Sequence, residues 1–263
     1  MRNSSTHRIF ELDFLRGLAL ILMCLDHLAY DLYCLPLWFP HLDSPVLSAL
    51  GEFGEAVSFS PWRQGLHYVF ATLFLLLAGI GSALTSRLWR RTLQITGAAV
   101  AITAGTVGLD LFLDLNVTIL FGVLSAIAVG VFFCGICSLF GESAGKYGAL
   151  ILGIAIILVG FSLKWYAAPT YYSVGTEDLV GIVLGTVRYG ADWFPLFPCA
   201  GVVCVGYFLG KTLYARRQSL LPALRGKACG LCVVGRYSLW IYLLHQPVLA
   251  GLLCLFTMIF VRN

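Results

Sequence analysis

Charged residues are scarce in this sequence. Asp, Glu, Lys and Arg together make up 11% of its 263 residues, against about a quarter in a soluble domain. The chain therefore lacks the polar surface to face water on every side. Its apolar stretches also lack the period-two alternation of membrane barrel strands, which excludes that way of crossing a bilayer. No internal repeat is visible, so the inverted halves of many transporters have no counterpart here. No low-complexity segment divides the chain, and one domain over residues 1–263 is expected. Nor does any basic patch interleaved with aromatics stand on a polar surface, so the net charge of +4 is no sign of nucleic-acid binding.

What the sequence does hold is apolar: 59% of residues. Runs of about 18 or more apolar residues read as bilayer spans. They fall at Asp13–Asp31, Leu66–Thr85, Thr92–Leu109, Thr118–Phe140, Gly148–Tyr166, Phe194–Gly210 and Ser238–Phe260. The fold class is all-α, a polytopic membrane helical bundle of about seven transmembrane helices. Asp13, Arg16, Asp26 and His27 interrupt the first run and no small-residue cleavage site follows it, so it reads as a retained helix and not as a signal peptide.

Basic residues set the orientation, because short basic loops stay in the cytoplasm. Twelve fall on one side: Arg2, Arg8, Arg87, Arg90, Arg91, Lys146, Lys211, Arg216, Arg217, Arg225, Lys227 and Arg236. Four fall on the other: Arg63, Lys164, Arg188 and Arg262. This asymmetry puts the N-terminus in and the C-terminus out, in a bacterial inner (cytoplasmic) membrane. The nine cysteines lie mostly within spans, where cysteine is a small packing residue. Cys134-x-x-Cys137 and Cys229-x-x-Cys232 lack a second ligand pair, and no metal is expected.

Two outer segments are too long to be turns, and long loops tend to carry function. Leu32–Gly65 carries Asp43, Glu52, Glu55 and Arg63 among Trp38, Phe53, Phe59 and Trp62. Ala167–Trp193 carries Tyr171, Tyr172, Glu177, Asp178, Arg188 and Asp192, with an apolar Leu179–Val187 too short to span. Aromatics with carboxylates suit a sugar, and equally an aromatic belt at the interface.

The first span carries a polar stripe. At 100° per residue, with Asp13 at zero, Arg16 falls near about 300°, His27 near about 320° and Asp31 back near zero. His27 stands roughly 21 Å along the axis from Asp13, in the outer half of the bilayer. Asp26 points elsewhere, near about 220°, towards another helix or the interface. Ionisable groups within a bilayer are costly and mark functional sites; the competing reading is a structural network of satisfied polar groups. The last span adds His245 and Gln246 beside Pro247, with His245 roughly 14 Å from Arg236 and nearer mid-membrane. His67 follows Trp62 and Arg63 in the second span, so three histidines can face one cleft.

Arg8, then Leu12-Asp13-Phe14-Leu15-Arg16-Gly17-Leu18-Ala19, then His27 fourteen residues after the aspartate, resemble the opening helix of the transmembrane acyltransferase superfamily. Leu76–Ile80 with Arg90-Arg91, Ile119–Leu124, Asp192–Pro198 and Ser238–Pro247 are similar to its heparan-alpha-glucosaminide N-acetyltransferase-like branch. The chain departs from that branch in two places. It has no histidine just upstream of Trp62, and Ser125 stands where many relatives have histidine after Phe121-Gly122-Val123-Leu124.

The resemblance implies transfer of an acetyl or similar group from acyl-CoA in the cytosol to an acceptor outside it. The donor is acetyl-CoA or another acyl-CoA; the acceptor is an extracytosolic sugar or glycan amine or hydroxyl. His27, ahead of His245, acts as general base or acyl carrier, with Asp31 orienting the His27 ring. Arg8, Asp13 and Arg16 bind the CoA end. Asp192, Trp62 and His67 are assigned to the acceptor side. The bilayer is a partner, nucleic acid is not, and a homodimer is left open. Two other readings stay open: a transporter or flippase of an acyl or glycan-lipid compound, and a non-catalytic membrane partner.

Overall fold

The computed structural model describes residues 9–113, 117–166, 178–190, 192–221, 223 and 229–261. Every regular element among them is helical: α1 (Phe10–Trp38), α2 (Pro45–Ser58), α3 (Pro61–Ala83), α4 (Leu88–Leu113), α5 (Val123–Ser138), α6 (Glu142–Tyr166), α7 (Leu179–Leu184), α8 (Leu196–Leu213), α9 (Gly230–Arg236) and α10 (Ser238–Phe260). Six of them, α1, α3, α4, α6, α8 and α10, are long and apolar enough to cross a membrane. The protein is a polytopic helical bundle, integral to a membrane. The seventh expected span corresponds to α5, an apolar helix of 16 residues, about 24 Å long.

Helix bounds differ from the expected runs for local reasons. The Thr118–Phe140 run becomes helical only at Val123, because the Asp110 carboxylate binds the backbone N–H groups of Val117 and Thr118, each at 2.7 Å, and holds that stretch extended. The Leu32–Gly65 loop is largely helix. It comprises the last turns of α1, all of α2 and the start of α3. Prolines begin both α2 and α3, where a missing N–H costs nothing. The buried stripe of α2 is Leu47, Gly51, Gly54 and Ser58. Its helical spacing is carried mostly by small residues, which an apolar count passes over, while Glu52 and Glu55 face outward.

The chain forms two compact units. One comprises residues 1–74 and 221–263, the other residues 75–220. In the first, α1 packs against α2, α9 and α10. Apolar side chains gain little by leaving lipid for protein, so close backbone approach matters more here than in water. Gly17 supplies it: a Cβ there would overlap the Leu231 carbonyl of α9, and a Cβ on Gly235 would overlap the Asp13 carbonyl of α1. Around Pro36, Gly51 and Gly54 of α2 do the same against the last turns of α1.

In the second unit, α8 packs against α5, α6 and α7, and α5 also against α4 and α6. Gly79 of α3 faces the Val203 carbonyl, and Gly206 faces the Leu76 carbonyl. The interior is small and apolar, with Cys134, Ala149 and Cys204 fully buried beside Tyr207 and Ala83.

Candidate functional site

The site is built on α1, in the first unit. Near its start, the Asp13 carboxylate lies 3.4 Å from Arg16 on the same helix and 3.7 Å from Arg236 on α9. The Gly17–Gly235 seam is what brings Arg236 so close. Asp13 is buried and Arg236 is 45% exposed, so the cluster has a charged mouth on an anchored base. Arg8, assigned with Asp13 and Arg16 to the CoA end, lies outside the described residues.

Farther along α1, the His27 ring lies against the His245 ring of α10, their centroids 4.9 Å apart and their planes tilted by 45°. His245 Nδ1 is 2.7 Å from the Tyr242 carbonyl oxygen. A carbonyl only accepts, so Nδ1 donates, and the neutral ring keeps its lone pair on Nε2. One turn beyond His27, Asp31 is buried to 2% exposure and accepts a 2.7 Å hydrogen bond from the Gln246 amide. Asp31 Oδ2 and Gln246 Oε1 are buried acceptors with no hydrogen-bond donor among the described residues. Buried polar atoms of that kind call for a partner.

Asp31, expected to orient the His27 ring or stabilise its charged form, accepts its hydrogen bond from Gln246. One expectation needs correction: His245 does not lie deeper than His27, since their rings are in contact. Arg236 and His245 are not points on one straight helix. The chain instead breaks at Tyr237, between α9 and α10.

Asp26 turns to another helix, as its angle on α1 indicated. Arg63 Nε of α3 is 2.5 Å from Oδ1, and His67 Nδ1 of α3 is 3.0 Å from Oδ2. Arg63 Nη1 also donates to the Ser58 carbonyl at the end of α2, at 3.0 Å. Trp62 is 64% exposed at the head of α3. The structure thus joins His27 with His245, and Asp26 with His67. Sequence reasoning missed Gln246, Arg63 and Arg236 as partners. Each carboxylate buried in a span signalled that a partner must exist, but not which one.

In the second unit, the matched motif pieces close the fold. Asp192 Oδ2 accepts the Val123 N–H at 3.4 Å, at the start of α5. The Phe194 N–H donates to the Phe121 carbonyl at 3.2 Å, and the Trp193 indole donates to the Ile182 carbonyl at 3.0 Å. Arg91 reaches the Gly81 carbonyl near the end of α3, at 3.3 Å. An acceptor at a helix N-terminus and a cation at a C-terminus both suit the helix dipole. The Asp192 carboxylate therefore has a capping contact. The cysteines of the described residues are free thiols, and Cys204 Sγ lies 3.7 Å from the Gly130 carbonyl. Among the described residues no three His, Cys, Asp or Glu side chains gather as metal ligands.

No curated protein and no solved structure matches the chain. The family profile described as heparan-alpha-glucosaminide N-acetyltransferase, catalytic, matches residues 8–247, which takes in the whole polar stripe of α1, the Asp26–His67 contact and His245. The chain belongs to the heparan-alpha-glucosaminide N-acetyltransferase catalytic family.

Proposed function

We propose that this membrane acetyltransferase-family protein moves an acetyl or similar acyl group from cytosolic acyl-CoA to an amine or hydroxyl of a sugar or glycan outside the cytosol. The observation that carries the reading is the His27–His245 ring pair on α1 and α10. It stands roughly 21 Å along α1 from Asp13, the base of the Asp13–Arg16–Arg236 cluster. A donor on one side of a bilayer and an acceptor on the other require a polar path between them, and α1 carries such groups at both levels. Arg8, Asp13 and Arg16 take the CoA end, where guanidinium groups suit phosphates. His27 serves as general base or acyl carrier, with His245 beside it shaping the thioester site. Asp31 Oδ2 and Gln246 Oε1 are acceptors, and an amine or hydroxyl of the incoming sugar is the matching donor. The orientation, N-terminus in and C-terminus out, follows the basic asymmetry of the loops, and the membrane proposed is a bacterial inner one.

Purified protein in detergent, given labelled acetyl-CoA with and without candidate sugars, tests the reading. Acetyl-CoA is expected to raise the melting temperature through linkage, and Arg16→Ala to weaken that rise. No shift at millimolar acetyl-CoA and no label on any acceptor would refute the reading.

A further inference from the structure

We infer that Asp26, Arg63 and His67 form an oriented base that takes the proton of the acceptor. The inference rests on the acyltransferase reading, takes the acyl-carrier role for His27 in it, and names the separate group that activates the acceptor. Arg63 and His67 are four residues apart on α3, hence on one face, and both meet Asp26 of α1. The contacts divide the carboxylate cleanly: Oδ1 faces Arg63 Nε at 2.5 Å and Oδ2 faces His67 Nδ1 at 3.0 Å. A buried carboxylate needs a counter-charge, and Arg63 alone provides it. Charge balance therefore does not account for the imidazole. Because a carboxylate only accepts, Nδ1 carries the hydrogen, and the ring's uncharged form has its lone pair on Nε2. This is the carboxylate–histidine arrangement in which the acid fixes tautomer and orientation and the imidazole accepts the proton.

The surroundings hold the dyad in place. Arg63 is anchored a second time on the Ser58 carbonyl at 3.0 Å. The His67 ring is braced edge-on by Tyr68 and Phe70, at 5.8 and 5.3 Å. Asp26 is 5% exposed at its side chain, whereas His67 is 34% exposed, so the acid is sealed and the imidazole reaches the surface. Asp26 also directly precedes His27 on α1. Asp26 and Arg63 are positioning residues; His67 is the catalytic base. As the acceptor nitrogen or oxygen bonds to the acyl carbon, its proton passes to His67 Nε2. The C–S bond has broken as His27 took the acyl group, its electron pair going to the CoA thiolate; the acyl carbon to His27 nitrogen bond now breaks with its pair returning to His27, and the proton on His67 passes to the thiolate, so no proton is gained or lost overall.

The test uses the full chain in detergent and two readouts. The first is carbethoxylation of His67 by diethyl pyrocarbonate, mapped by mass spectrometry, which needs no acceptor. Asp26→Asn should slow it at least about threefold, because an amide can donate to Nδ1 and move the ring hydrogen to Nε2. The second is acetyl transfer to glucosamine at saturating acetyl-CoA. His67→Ala should lower turnover at least about tenfold, below the usual general-base range because water can stand in. Its KM for acetyl-CoA should stay within about twofold of the parent's, and added imidazole should restore part of the rate. Unchanged carbethoxylation in Asp26→Asn, or near-normal turnover in a folded His67→Ala protein, would overturn the assignment. Should the parent protein acetylate no sugar and bind no acetyl-CoA, the acyltransferase reading fails, and the carbethoxylation rates still decide whether the dyad exists.

Discussion

The two units bury different chemistry. In the unit of residues 1–74 and 221–263, the buried side chains include four carboxylates, Glu11, Asp13, Asp26 and Asp31, all on α1. Asp13, Asp26 and Asp31 each meet a partner from another helix: Arg236, Arg63 with His67, and Gln246. Among the described residues of the unit of residues 75–220, the buried polar side chains are Ser82 and Thr92. Their hydroxyls donate to carbonyls of their own helix or its start, at Ala78 and Leu88. Around them lie glycine, alanine and cysteine at close-packed crossings. Charge within a bilayer persists where a function holds it against its cost. The first unit has the signature of a reactive site, the second that of a scaffold, although both carry motif pieces of the same family.

The sharpest break in that comparison is expected at a place where the units should behave alike. Gly235→Val pushes side-chain carbon into the Asp13 carbonyl, and Gly206→Val does the same at the Leu76 carbonyl. Each should destabilise by about 3 kcal/mol or more, at or beyond the top of the usual overpacking range, and appear as lost monodisperse protein or a large fall in melting temperature. A mild effect at either seam would mean that its helices are free to move apart.

A smaller effect should separate the units. Gln246→Leu removes the amide that donates to Asp31 and leaves a buried carboxylate alone. The expected loss is about 1–3 kcal/mol in thermal melts, together with a clear fall in acetyl transfer. Asp31→Asn combined with Gln246→Leu should lose less than the sum of the two single changes, since contacting residues couple. Additive losses would show that the pair does not act as one.

The smallest effect is expected in the scaffold unit. Asp192→Ala takes away the carboxylate at the start of α5 and should cost about 1 kcal/mol, read as a lower melting temperature. Turnover at saturating acetyl-CoA and sugar should stay within about twofold of the parent's, as a capping role requires. A large fall in turnover with normal melting would move Asp192 from the scaffold into the acceptor site.

Much of this arrangement was legible in the sequence. Scarce charge and long apolar runs gave the helical membrane fold, and 100° geometry set Asp26 apart from the Asp13–His27–Asp31 stripe. The Ser238–Phe260 span matches its helix end to end. Glycine-rich α2 was hidden because its buried stripe scores as polar or small, and α9 because its seven residues sit in a basic stretch. The partners were hidden for a different reason. Periodicity shows which side of one helix a group faces, whereas Gln246 meeting Asp31 depends on the crossing of two helices and on the break at Tyr237. In the second unit, the contact of Asp192 with the Val123 N–H was hidden likewise, because sequence alone does not show which helix start a distant carboxylate meets.

The central claim is that chemistry runs through the His27–His245 pair on α1 and α10. The most direct measurement is acetyl transfer at saturating acetyl-CoA for His27→Ala and His245→Ala, with thermal melts of both. His27→Ala is expected to melt like the parent and to lose at least about 100-fold in rate, the scale of removing a positioned catalytic side chain, while His245→Ala loses less or acts through acyl-CoA affinity. Near-normal turnover in a well-folded His27→Ala protein would contradict the account.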